Sequence, residues 1–149
     1  MSYRIVTQVE IAAPSHEVWN HLTDLESFSE WNPFMIEASG DVEPGARLAV
    51  RMEPPGGFAM TIKPTVTQAI ESETFEWLGS LLFSGLFDGR HRFELEEIPS
   101  GSLLTHSEEF TGVLVPLLRR FLDTKTRAGF EMMNEALRAR VEAWARDSG

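Results

Sequence analysis

Three side chains on two neighbouring stretches have the chemistry to move a proton or hold a polar group: His91, His106 and Glu108. From Gly89 to Glu97, charged Arg90, Arg92, Glu94 and Glu96 alternate with His91, Phe93 and Leu95, so a strand here turns the latter three to one apolar face. From Leu103 to Thr111, Leu104 and Phe110 set that face, and His106 and Glu108 fall on it. A hairpin through Pro99 to Ser102 that pairs Ile98 with Leu103 sets Leu95 against His106, Phe93 against Glu108 and His91 against Phe110. His91 and Glu108 are then diagonal neighbours within side-chain reach. An imidazole and a carboxylate on an apolar wall orient a ligand or exchange a proton with it. They also satisfy each other, a backbone group or a trapped water with no chemistry at all, and all three readings stay open. As a metal set the trio lacks a fourth ligand and the usual spacings, so no metal is expected. Glu109 points the other way, so it makes no carboxylate dyad with Glu108.

That face needs an element to cover it. From about Val113 to Arg146, Leu118, Leu122, Phe130, Met133, Leu137, Val141 and Trp144 recur in steps of three and four or their multiples, one stripe along an α-helix. Arg127, Glu131, Glu135, Arg138 and Glu142 follow the same spacing on the opposite side, where they pair in water. At ~1.5 Å per residue the helix runs to roughly 45 Å, too long to lie on a small flat sheet. The upstream chain must curl around it.

Tyr3 to Ile11 reads as a half-buried strand with Ile5, Val9 and Ile11 inward. Pro14 opens a short helix with Val18, Trp19 and Leu22 on its apolar face. Ser27 is the expected N-cap of a second short helix, Phe28 to Trp31, which Asn32-Pro33 ends. Strand runs follow at Phe34 to Ala38, Arg47 to Met52, Phe58 to Val66, Phe75 to Leu78, and the two stretches above, parted by turn residues at hairpin spacing. Sequential hairpins give an antiparallel meander, and Pro64 marks an edge or a bend within its run. Leu81 to Phe87 is different, an apolar loop around Gly85. It forms the mouth of an apolar site, folds onto the core or meets a partner.

The totals narrow the function classes. A chain of 149 residues is expected to form one domain around one core. No apolar run approaches the ~20 residues of a membrane span and no signal-peptide pattern opens the chain, so the cytoplasm is the default compartment and membrane insertion is not expected. There are no cysteines, which removes disulfides and thiolate chemistry. With 13 Lys and Arg against 23 Asp and Glu, the formal charge of -10 disfavours nucleic acid as a partner. No phosphate-cradling glycine loop, nucleophile elbow or His-Glu-x-x-His helix occurs, and no cofactor is expected.

Taken in order, a strand, two short helices, an antiparallel meander and a long final helix resemble the helix-grip fold of the START-like superfamily, also called SRPBCC. Within it the chain is most similar to the polyketide cyclase/dehydrase and lipid-transport family. The residues that carry the resemblance are Ile11 to Trp19, Trp31-Asn32-Pro33-Phe34, Gly89 to Leu95, His106 to Gly112, and Gly129-Phe130 with Met133-Asn134. It covers the whole chain, residues 1–149, as a single START-like ligand-binding domain. It implies an α+β fold, a curved antiparallel sheet of about six or seven strands wrapped around the long helix, with an apolar cavity between. It transfers no shared catalytic set.

Four Trp and ten Phe are a heavy aromatic load for such a chain, and rings facing the gap either line a pocket or fill it. The expected lining comes from Trp31, Phe34, Phe75 and Trp77, then Phe83 and Phe87 of the apolar loop. Phe93 and Phe110 add to it from the last strands, and Phe130 and Met133 from the helix. His91, His106 and Glu108 would be polar anchors, and also the candidates for any catalysis. Gly129, which costs a helix ~1 kcal/mol relative to Ala, marks either a close approach of sheet, Phe130 neighbour or ligand at that turn or a glycine the helix simply tolerates. The leading expectation is a non-enzymatic binder or carrier of a small hydrophobic or aromatic ligand, as monomer or homodimer. The alternatives are a cofactor-independent cyclase or dehydratase using the same cavity, and a partner-binding module docking through Leu81 to Phe87.

Overall fold

The computed structural model describes residues 2–148. Strand β1 (Ser2–Ile11) leads into α1 (Ser15–Leu22), a 3-10 turn (Leu25–Ser27) and α2 (Phe28–Trp31). Then come β2 (Met35–Ser39), β3 (Ala49–Met52), β4 (Met60–Ile62), β5 (Thr65–Ile70), β6 (Thr74–Ser80), β7 (Asp88–Ile98) and β8 (Gly101–Thr111). The final helix runs as α3 (Val115–Phe121), a π turn (Leu122–Thr126) and α4 (Arg127–Ser148). Five strands pair antiparallel in the order β1-β8-β7-β6-β5, and β2-β3-β4 form a second sheet. Among the described residues no helix is long and apolar enough to cross a membrane.

This is the α+β helix-grip architecture, with one difference in strand count that Pro64 explains. Lacking an N–H, Pro64 cannot continue a ladder, and the run Phe58 to Val66 breaks there into β4 and β5. Its carbonyl still accepts from the Leu48 amide at 2.8 Å, and an Arg47–Thr65 bridge ties the two sheets at the break. The result is eight strands in two sheets rather than about six or seven in one.

Two further local expectations are corrected, and the end of α2 at Asn32-Pro33 is as expected. Ser27 caps nothing; its hydroxyl donates to Asp24 Oδ2 at 2.7 Å instead. The turn out of α2 is made by Asn32, whose Oδ1 accepts from the Phe34 and Met35 amides at 3.0 and 2.8 Å. In the β7–β8 hairpin the turn is tighter than expected, since Gly101, at φ 140°, pairs directly with Ile98. The register therefore moves by two residues, and Phe93 opposes His106 while His91 opposes Glu108. An even shift leaves every side chain on its expected face.

On the long helix Leu122, Phe130, Met133, Leu137 and Val141 are buried, and Leu118 is half-buried. Trp144 leaves the stripe: it is 57% exposed and rests edge-on against His21. The first strand and the residue that follows it tie down the helix. The Ala12 amide donates to Glu142 Oε2 at 2.9 Å on α4, and the Tyr3 hydroxyl donates to Asp123 on the π turn.

Candidate functional site

The sheet meets the helix in successive cross-strand rows. Across β6, β7 and β8 the rows are Phe75–Phe93–His106, then Trp77–His91–Glu108, then Gly79–Gly89–Phe110. Rings fill the first two. Phe130 of α4 lies flat on His106, with centroids 4.2 Å apart, and Trp77 stacks on His91 at 4.9 Å. In the third row two glycines leave the sheet bare, and a cavity of about 340 Å³ opens beneath the α3 end of the helix.

Leu118, Leu122 and Thr126 form the helical side of this cavity, and Met52 and Ile62 close it from β3 and β4. Phe34 makes its inner end, where it packs against Phe130 at 5.7 Å. Phe87 and Phe110 stack on each other at 5.5 Å on the sheet side, and Pro54, Phe58, Leu81 and Phe121 add to the lining. Among the described residues lining the cavity, Glu108 is the one ionisable side chain. Gly89 makes room for it, since a Cβ there would stand 2.2 Å from Glu108 Oε2. Gly129 acts similarly from the helix: a Cβ there would meet the Phe34 ring at 2.5 Å.

From Glu108 a chain of hydrogen bonds leads away from the cavity into the filled half. Glu108 Oε1 lies 3.0 Å from His91 Nδ1, and His91 Nε2 lies 2.7 Å from His106 Nε2. His106 Nδ1 is 2.8 Å from Asn134 Oδ1 of α4. Asn134 Nδ2 donates to Thr7 Oγ1 at 2.9 Å, and the Thr7 hydroxyl donates to the His106 carbonyl at 2.9 Å. Burial pushes the His106 imidazole well below its ordinary value; the neighbouring His91 pushes the same way, against the Asn134 hydrogen bond. His106 is therefore neutral at pH 7.

Of the residues expected to line the site, Phe34, Phe87, Glu108 and Phe110 do so. Phe75, Trp77, His91, Phe93, His106, Phe130 and Met133 are instead buried in the filled half. Trp31 packs edge-on against Phe28, outside the cavity lining, and Phe83 is 63% exposed on its loop. The helix positions Leu118, Leu122 and Thr126, the glycines Gly79 and Gly89, and the polar pair Thr7 and Asn134 were not singled out from sequence as parts of the site. Some signal was present: Thr7 shares the inward parity of Ile5 and Val9, and Gly89 that of His91.

A long helix gripped by an antiparallel sheet with an apolar cavity between them defines the helix-grip class. The chain belongs to the polyketide cyclase/dehydrase and lipid transport family, whose model matches residues 2–142. Among solved structures it is similar to the Zhui aromatase/cyclase of a Streptomyces species, with a TM-score of 0.80 at 14% identity, covering 100% of this chain and 99% of that one. It is also similar to a protein from Mesorhizobium loti (TM-score 0.70, 20% identity, 92% and 95% covered). A third likeness is to a two-domain aromatase/cyclase of the steffimycin biosynthetic pathway (TM-score 0.79, 14% identity), covering 97% of this chain and 52% of that one. At these identities the likeness is one of fold. No curated sequence relative matches.

Proposed function

We propose that the chain is a single ligand-binding domain that holds a compact hydrophobic or aromatic molecule in the cavity between α3, the π turn and the β6–β8 sheet. The observation that carries this reading is the cavity itself, about 340 Å³ with a mostly apolar wall, the hydroxyl residues Ser80 and Thr126 and one carboxylate, Glu108. That volume is near the lower end of the ~300–1,000 Å³ typical of ligand sites, which suits a ring compound better than a long acyl chain. Membership of a family described by cyclases, dehydrases and lipid transport supports a small apolar ligand.

A second reading, a cofactor-independent cyclase or dehydratase, is favoured by the 3.0 Å contact between Glu108 and His91, which gives the carboxyl a partner for proton exchange. Native mass spectrometry of protein purified from its own host, looking for a co-purified small molecule, tests the binding reading. The control is Leu118→Trp, which fills the cavity from the helix. Retention of the compound by the wild type and its loss from Leu118→Trp is the expected result. Equal retention by both moves the site elsewhere. Turnover of the recovered compound, abolished in Glu108→Gln, would replace the carrier reading with the enzymatic one.

A further inference from the structure

The hydrogen-bond chain behind Glu108 fixes what kind of polar group a ligand can offer it. The Thr7 hydroxyl has one hydrogen, and it goes to the His106 carbonyl. Asn134 Nδ2 therefore donates to Thr7, which leaves Oδ1 facing His106 Nδ1, so that nitrogen carries the N–H. His106 is neutral, so its Nε2 is a bare acceptor and His91 Nε2 is the donor to it. One place in the chain is still open. His91 Nδ1 faces Glu108 Oε1 at 3.0 Å, and two lone pairs at that distance repel, so one proton lies between them. Whichever atom holds it, the Glu108–His91 pair carries no net charge and keeps its proton on the side away from the cavity.

Glu108 Oε2 is left over. It sits above Gly89, takes none of the hydrogen bonds described above, and belongs to the one ionisable side chain lining the cavity among the described residues. It has no proton to give, because the shared proton is on Oε1 or His91. It can only accept. Resting on the ligand-binding reading above, we propose that the cavity selects an apolar ring compound bearing a neutral hydroxyl, an alcohol or phenol that donates to Glu108 Oε2. The corresponding ammonium and carboxylate are rejected.

A hydroxyl leaves the pair neutral and satisfies the acceptor. An ammonium brings a net charge into an apolar space unless the pair releases its proton, and release sets His91 Nδ1 against Oε1. A carboxylate meets an acceptor with an acceptor. A plain hydrocarbon fits but leaves Oε2 without a partner.

The test uses one skeleton with four substituents at pH 7.5: naphthalene, 2-naphthalenemethanol, 2-naphthylmethylamine and 2-naphthoate, titrated by calorimetry into the full chain. The alcohol is expected to bind at least about tenfold more tightly than each of the other three. Glu108→Leu removes the acceptor and brings the alcohol level with naphthalene. Glu108→Gln keeps the preference, since its amide N–H₂ donates to His91 Nδ1 and its carbonyl faces the cavity, and this variant stands in should Glu108→Leu fold poorly. If naphthalene binds and the alcohol gains nothing, the hydroxyl proposal falls and the binding reading stands. Tighter binding of the amine overturns the proton assignment. If neither naphthalene nor its alcohol binds, the ligand-binding reading falls and takes this proposal with it.

Discussion

The filled half and the hollow half of the grip share β6, β7, β8 and the final helix, and along those strands they differ in a few rows of side chains, with β3 and β4 closing the hollow half alone from the second sheet. Trp77 and His91 stand side by side in one row, and one step along each strand face the matching positions are Gly79 and Gly89. The filled rows clamp α4 through Phe130, Met133 and Leu137, all fully or almost fully buried. The bare row leaves the cavity open beneath Leu118 and Phe121 of α3. Rigidity and vacancy are thus allotted by residue size at successive inward positions, with no change of backbone topology. Glu108 stands at the boundary, its Oε1 in the filled half and its Oε2 toward the hollow.

Substitutions that treat the two halves as equivalent should expose the difference. Phe130→Ala, in the filled half, is expected to cost about 3–5 kcal/mol in urea unfolding, because the ring packed on Phe34 and His106 leaves a void. Leu118→Ala, on the cavity wall, already faces open space on one side and should cost only about 1 kcal/mol. Equal losses would dissolve the distinction. Next in size is Asn134→Leu, which strands the His106 N–H and the Thr7 oxygen in the filled half, at about 1–3 kcal/mol.

The same chain predicts a pH dependence. Folded His106 binds a proton more weakly than the unfolded chain, so stability is complete above the ordinary value of 6.5. It declines as pH falls below that value, toward the depressed folded one. Urea midpoints at pH 7.5 and 5.5 should show this loss, and a midpoint that rises on acidification would contradict a neutral His106. Gly129→Ala sharpens the comparison from the helix side. The added methyl overlaps the buried Phe34 ring and pushes on the cavity's inner end, so naphthalene should bind more weakly. The overlap of about 1–3 kcal/mol, less the ~1 kcal/mol gained in helix propensity, should cost up to about 2 kcal/mol. The smallest effect is expected for Phe83→Ser, exposed on its loop: within about 0.5 kcal/mol in unfolding.

Periodicity made the filled half readable in the sequence. Alternation placed His91, Phe93, His106 and Glu108 on one face, and the helical stripe named Phe130, Met133, Leu137 and Val141 as its cover. Those are local signals. The hollow half depends on what is missing from a side chain, and on which residues from distant segments face one another. Gly79 and Gly89 look unremarkable until the register pairs them, and the register itself turned on how tightly the chain bends at Pro99-Ser100. Phe34 and Phe87 were named because they are aromatic, as were Phe75 and Trp77. Residue type alone did not separate those that line the space from those that fill the neighbouring rows.

The π turn at Leu122–Thr126 bears on how one helix serves both halves. Leu118, Leu122, Thr126 and Phe130 follow one another by fours, and in an unbroken α-helix each such step overshoots a full revolution by about 40°. Three steps would swing Phe130 far from the line of Leu118. A wider turn spends fewer degrees on each residue and takes the overshoot back, so the part of the helix that roofs the hollow and the part that is clamped stay in phase with the same concave bed. Were the same residues wound as ordinary α-helix through that turn, the roof would rotate by about 120° against the clamp, leaving one half of the grip intact while the other loses its lining.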